Sequence, residues 1–439
     1  MLALSGVYAV SVWAAGGMDE RPSWKISAWI WVVALGARLL LFTSHPVQED
    51  DFYRYMWDGH VCLQGVNPYR HSPDAVILER MAHSTKVHPD VVSLVRSLGD
   101  SPEAILTLNR INHPHLTTLY PPLLMAVFAA AQFLFPWNLD GLRLMLLLFD
   151  VGGHLILWKL VRMLGRPQAL WVAYAWCPLV IKEFANSAHA DGVVIFFILA
   201  ALLAVASGRW LWAYLGLSMA VLSKIFPLIL LPLLLSHGWR ESKSSWRSIV
   251  LIGLGTVAAF IPMAMAMGMQ SGTYAYASSW RKNSWLFPKL EELTRSMGHD
   301  HVPARFVCIG IIAVVVVVAS WRTWKGAAES LFRDCFVVLG VFFCLLPAQF
   351  PWYLTWVLPF LALFPSPPWV LLSCLMPLYY LGFWVDYTHD GGASSMVSDA
   401  QHRHIVELEF LPMMGWFTWI VARKHAACIW RLAVRRCVR

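Results

Sequence analysis

Charge is what this sequence has least of. Of its 439 residues only 14% are Asp, Glu, Lys or Arg, while 58% are hydrophobic. Mean hydropathy is +0.56. A soluble domain is nearer a quarter charged, so the composition excludes an ordinary water-soluble globule and points to lipid as the main solvent. Cysteine chemistry is missing too. The eight cysteines show no CxxC and no Cys/His metal spacing, which leaves them as apolar fillers. The first residues lack a basic n-region and an A-x-A site, so residues 2–16 read as a retained helix rather than a cleaved signal. There is no internal repeat of the kind found in many transporters, and no composition shift marks off a soluble domain. The net charge of +8 does not imply nucleic acid, because the Lys and Arg residues sit in short loops between apolar runs.

Those apolar runs are what the chain has most of. Residues 26–43, 141–161, 249–268, 306–321 and 408–422 are almost free of charge, each near the roughly 20 residues a spanning helix needs. Shorter runs at 2–16, 119–136, 169–184, 192–207, 210–222, 225–236, 335–347, 352–364 and 367–384 predict that some segments are broken or re-entrant. The pattern predicts an all-α polytopic transmembrane helical bundle with about 12–14 membrane segments, a single domain over residues 1–439. Short helices are expected in its longest polar region, 44–118.

The connections at 159–166 (Lys159, Arg162, Arg166), 237–247 (Arg240, Lys243, Arg247) and 322–333 (Arg322, Lys325, Arg333) are basic, as is the tail from Arg423 to Arg439. The positive-inside rule assigns these to the cytoplasm. The other face then receives the first extracytoplasmic loop 44–118, the turn 185–191, the second large loop 269–305, the turn 347–352 and the loop 385–407. Acids concentrate there: Glu49, Asp50, Asp51, Asp58, Asp386, Asp390 and Asp399. This parity needs an odd number of crossings over 119–161. Pro121-Pro122 opens the run 119–136 and disfavours a straight helix at its start, so that run is read as re-entrant or peripheral.

One stretch of the first loop carries candidate chemistry. If the chain from Gln48 to Gly59 is a helix, Asp51, Arg54, Tyr55 and Asp58 fall at i, i+3, i+4 and i+7 on one face. Phe52, Met56 and Trp57 on the other face suit the bilayer interface. Three consecutive acids repel one another, which a purely structural account does not explain; the plain alternative is a solvated cap in which Arg54 pairs Asp51 and Asp58. His113 and His115, at i, i+2 in a Pro-broken stretch, have poor metal-ligand spacing.

The strings Asp50–Gly59 and Gly65-Val66-Asn67-Pro68-Tyr69, then Asn112-His113-Pro114 and Thr117-Thr118-Leu119-Tyr120-Pro121-Pro122, resemble the bacterial branch of the GT-C glycosyltransferase superfamily. The likeness is closest to its polyprenyl-phosphate-mannose-dependent mannosyltransferases. Ser187-Ala188-His189-Ala190-Asp191, Ser223-Lys224-Ile225-Phe226-Pro227, Trp280 with Asn283-Ser284, and Pro351-Trp352-Tyr353-Leu354 agree with it, so the likeness covers residues 30–365. The resemblance implies transfer of a hexose, mannose in the nearest relatives, from a polyprenyl-phosphate donor to a glycolipid or polysaccharide hydroxyl. Transfer takes place on the extracytoplasmic side of the inner membrane and inverts the anomeric centre. It also implies an acidic base in the first outward loop, a role that falls by motif position on Asp50 or Asp51. That carboxylate removes the acceptor proton as attack proceeds through an oxocarbenium-like state.

The departing phosphate then needs cations, for which Arg54, Lys224 and Arg281 are the candidates. Lys224 interrupts an apolar stretch, where an ammonium is a functional hypothesis by default; its alternative is snorkelling from a helix end beside Pro227. His189 and Asp191 either bind sugar hydroxyls or phosphate, or form a polar turn capping the helix from residue 192. Trp280, Trp352 and Tyr353 either stack on sugar and lipid or anchor the interface. Asp58, Tyr120 and Asn283 complete the candidate substrate contacts. Arg38, inside an apolar run, needs an acid, and Glu183 is the expected partner. No cofactor is expected, although the acidic run leaves a divalent ion open. The rival functions are a lipid-linked-sugar transporter or flippase and a catalytically dead scaffold.

Overall fold

The computed structural model describes residues 1–18, 24–47, 50–82, 87–241, 245–269, 271–298, 302–382 and 399–437, with side chains left undescribed at 302, 303, 399–402 and 424–437. Glu49, Lys243, Asp386 and Asp390 lie outside the described residues. The protein is all-α and polytopic. Among the described residues there is no strand, only isolated bridges pairing Thr117 with Ser271 and Lys282 with Ala348.

Among the described residues, five helices are long and apolar enough to cross a membrane: Trp24–Phe42, Leu139–Met163, Trp246–Ala264, Ala304–Lys325 and Arg403–Arg423. Some of the shorter runs are broken, as the sequence predicts. Pro178–Asn186 and Asp191–Ala206 meet at a bend of 118°, while Leu2–Gly16, Pro122–Leu134 and Trp210–Ser223 stay short. At 13 residues, Pro122–Leu134 reaches about 20 Å, less than the roughly 30 Å hydrocarbon core. Proline sets many of these starts. Pro73, Pro89, Pro102, Pro122, Pro178, Pro351 and Pro367 each open a helix, where a missing N–H costs nothing and φ is already helical.

The helix Asp51–Leu63, hereafter the motif helix, departs from expectation. Phe52, Met56 and Trp57 are buried rather than turned to lipid. Phe52, Tyr55 and Met56 pack with Leu124 and Phe128, while Trp57 and Val61 pack with Val76, Val91 and Leu94 of the loop helices Pro73–Ala82 and Pro89–Leu98. The motif helix is therefore sandwiched, because the loop folds back over the face that would otherwise meet the interface. Gly59 permits the closest approach: a Cβ there would lie 2.4 Å from the Phe128 carbonyl oxygen.

The connections sort into two groups that touch among themselves. Arg166 pairs with Glu329 at 2.5 Å, and Arg240 donates to the Gly326 carbonyl, which joins all three basic connections. At the other group, the Val47 amide donates to Asn186 at 3.0 Å, and Gly272 donates to the Thr117 carbonyl at 3.2 Å. Lys282 donates to the Pro347 carbonyl at 3.2 Å. The four loops 44–118, 185–191, 269–305 and 347–352 thus meet around one space.

Arg38 corrects a further expectation. Its partner is Asp150, 2.5 Å away, with His154 beside it, not Glu183. Arg38 also donates to the carbonyls of Ala34 and Ala175 at 3.1 and 3.0 Å. Glu183 instead accepts from Tyr380 at 2.7 Å and lies 3.4 Å from Lys182.

Candidate active site

Where those loops meet there is a cavity of about 1080 Å³. Asp50, Asp51, Arg54 and Tyr55 form one wall at the start of the motif helix. Lys224, Ile225, Leu228 and Ile229 form another, where the helix Trp210–Ser223 breaks before Pro227. Tyr276, Trp280 and Arg281 come from the second large loop, and Trp352, Tyr353 and Trp356 close the space.

Arg54 is not paired with Asp51 or Asp58. Its guanidinium donates to the carbonyls of Asn112, His113 and Leu116 at 3.2, 3.0 and 3.2 Å, which fastens the returning chain against the motif helix. His113 takes a left-handed conformation, φ 50°, and its ring lies 4.7 Å from that of Trp280. The Asn112 side-chain amide donates to Asp50. The two adjacent carboxylates therefore differ. Burial raises Asp50 from its ordinary range while the bond from Asn112 opposes the rise. Burial and the negative charge of Asp50 push Asp51 up to about 6, against the pull of Lys224 and Arg54. Asp51 keeps 29% of its side chain exposed and faces the cavity.

Lys224 sits at the break expected for it, in extended conformation, and donates to Asp191 at 2.7 Å. Trp356 Nε1 donates to the same Asp191 oxygen at 2.6 Å. The ammonium also lies 4.8 and 5.3 Å from the ring centroids of Tyr353 and Trp356, a cation–π arrangement. Lys224 has two further N–H groups, and the cavity is open to it. Arg281 forms a fork with Glu291, 3.0 and 2.9 Å.

His189 and Asp191 are buried at the floor and do not line the cavity. The chain reaches them through a π-helical turn, Lys182–Asn186, and a strained Ala188 at φ 60°, features that recur at functional sites. The His189 ring stacks under Trp352 at 4.0 Å. Its Nε2 lies 3.3 Å from Glu183 and its Nδ1 4.0 Å from Asp51. Asp191 opens the helix Asp191–Ala206 without capping it by a side-chain bond.

Two other candidates also lie off the cavity surface. Asp58 is buried behind Arg54 and bonded to Thr118; burial pushes its carboxyl up to about 6. Asn283, at φ 52°, donates its amide to Glu409 at 2.8 Å and to the Gln349 carbonyl at 3.3 Å. It ties the second large loop to the helix Asp399–Cys437. Tyr120 does line the cavity. Trp356, Tyr276 and Glu183 went unrecognised as site residues. Trp352 and Trp356 stand at i and i+4, a spacing that could have revealed the second tryptophan.

A comparison with protein families matches residues 118–347 to the one described as Glycosyltransferase family 87, a stretch longer than half the chain. That stretch contains Tyr120, His189, Asp191, Lys224, Arg281 and Asn283. It excludes Asp50, Asp51, Arg54, Asp58, Trp352 and Tyr353. No curated protein matches the chain.

Proposed function

The chain belongs to glycosyltransferase family 87, and from that premise we propose that it moves a hexose, mannose by resemblance, from a polyprenyl-phosphate donor to an acceptor hydroxyl of a glycolipid or polysaccharide. Asp51 is the base and the reaction inverts the anomeric centre. The carboxylate takes the acceptor proton, the acceptor oxygen bonds to the anomeric carbon, and the bond from that carbon to the phosphate oxygen breaks. The polyprenyl phosphate leaves with the electron pair, and Lys224, aimed by Asp191, meets its charge.

The observation that carries this reading is the meeting of Asp51 and Lys224 on one cavity that is polar at that end and apolar beyond. Ile225, Leu228, Ile229, Phe342 and Leu346 suit a polyprenyl chain, and Trp352, its ring stacked between those of His189 and Phe350, lines the same cavity. Asp51 is preferred to Asp50 because Asn112 already occupies Asp50, whereas Asp51 faces the cations and is poised near neutrality. Arg54 positions the wall and is not assigned to the phosphate. The site belongs on the extracytoplasmic side of the inner membrane, opposite the grouped basic connections, with the C-terminal tail cytoplasmic. No resident cofactor takes part in these steps.

The test is sugar transfer by purified protein from radiolabelled polyprenyl-phosphate-mannose, comparing the native chain with Asp50→Asn and Asp51→Asn. Loss of transfer in Asp51→Asn alone, with donor binding retained, supports the assignment. Full transfer by Asp51→Asn moves the base elsewhere. Transfer from a different hexose donor but not from mannose corrects the sugar.

A further inference from the structure

A second convergence of side chains lies in the first loop, away from the cavity. His71 stands in the turn before the helix Pro73–Ala82, and His88 and Asp90 open the helix Pro89–Leu98. His71 Nε2 is 3.4 Å and His88 Nδ1 3.5 Å from one Asp90 oxygen, Oδ2. All three donor atoms lie within 4.8 Å of one another.

Both gaps exceed the usual N–H···O range of about 2.7–3.2 Å. They match another length instead. An ion bound tetrahedrally with bonds of about 2.0–2.1 Å spaces its ligand atoms about 3.3–3.4 Å apart. Two of the three ligand–ligand edges are close to that spacing, and the third lies within 4.8 Å. His88 Nδ1 accepts the Asp90 amide at 3.2 Å, a helix-capping bond that an ion bound there would replace.

The geometry points to a divalent metal site, Zn²⁺ by its nitrogen and oxygen ligands, formed by His71 Nε2, His88 Nδ1 and Asp90 Oδ2. The half-exposed His88 and the one-third-exposed Asp90 leave a fourth position for water. The ion clips the turn at His71 to the start of Pro89–Leu98, the helix whose Val91, Leu94 and Leu98 pack under Trp57 of the motif helix. None of its ligands lines the cavity, so the site acts on the frame of the loop and not on sugar transfer. It replaces the weaker sequence candidate, His113 with His115, whose rings lie 6.1 Å apart.

The experiment is titration of the purified full chain, with any affinity tag removed, using Zn²⁺ alone against a chromophoric chelator. One bound equivalent is expected, with at least about tenfold weaker binding in His71→Gln and in Asp90→Asn, and unchanged binding in His113→Gln/His115→Gln. Equal affinity in the native chain and His71→Gln overturns the site, as does loss of binding in the His113/His115 variant. A measurement on the native chain needs no variant to fold: Co²⁺ should give visible four-coordinate bands that Zn²⁺ displaces. Absence of such bands also overturns the proposal.

Discussion

Two clusters of charge are sealed into this bundle, and they differ in what they face. Around Arg38, the guanidinium meets Asp150, His154 and two carbonyls, and all three side chains are about 1% exposed. Around Lys224, the ammonium meets Asp191 while retaining 15% exposure, and Asp51 retains 29%. The first cluster is closed upon itself and joins the helix Trp24–Phe42 to Leu139–Met163 and Val172–Ala175. The second opens on the cavity. A charge within an apolar segment is by default a functional hypothesis, and Arg38 shows when that default fails: its partners absorb its donors and it does not line the cavity. Burial of charge finds both clusters, but only the adjoining void separates them.

The largest effect should come from exchanging the two clusters as targets. Asp51→Asn is expected to reduce transfer by roughly 10²–10⁴-fold, the range of general-base catalysis, with the thermal unfolding midpoint nearly unchanged. Arg38→Met should invert that pattern. It leaves Asp150 buried without its guanidinium and with only His154 beside it, at a cost of about 3–5 kcal/mol in stability, while transfer per folded molecule persists. Transfer assays and thermal unfolding on both variants check the contrast, which collapses if Arg38→Met abolishes transfer at an unchanged midpoint.

Next in size is Lys224→Met, expected to lower transfer by roughly 10²–10³-fold if the ammonium meets developing phosphate charge. Lys224→Arg should recover part of that loss. Equal rates for Lys224→Met and the native chain would return Lys224 to the class of Arg38, a charge retained for structure.

The pH profile gives a smaller and graded signal. With the Asp51 carboxyl held up to about 6, transfer should rise tenfold per pH unit below that value and level off above it. Stability should move the other way. The native carboxyl binds its proton more tightly than the unfolded one, which titrates near ~4. Stability gained by protonation is therefore present at low pH and lost as pH rises through about 4 to 6, and Asp58 adds in the same direction. A rate that is flat between pH 5 and 7 rules against Asp51 as base.

The smallest expected effect on chemistry concerns the frame that both clusters need. Gly59→Ala places a methyl against the Phe128 carbonyl and should cost about 1–3 kcal/mol of stability, read by unfolding, with transfer per folded molecule unchanged.

Much of the fold was readable because lipid solvent and proline leave local marks. The charge-poor runs forecast the long apolar helices, the short runs forecast the broken ones, and Lys224 was expected at the break where it stands. The cavity wall was partly readable, since Asp50, Asp51, Tyr120, Trp352 and Tyr353 all line it. The partners were not. Arg38 and Asp150 are 112 positions apart, Asn283 and Glu409 are 126 apart, and nothing in local spacing links such pairs. Asp58 shows the opposite failure. Helical periodicity put it on the face of Asp51, but the loop folding over the motif helix carried it inside.

The sequence by itself determined the solvent, the all-helical class, the places where helices begin and break, and the residue types that form the acidic and basic walls. Those are properties of composition and of neighbours along the chain, where hydropathy and backbone dihedrals act. Only the tertiary structure decided which charge is closed and which faces a void, that Arg54 fastens backbone instead of carboxylates, and that His189 lies beneath Trp352. Desolvation and ion pairing depend on distances between segments that meet only after the helices have packed.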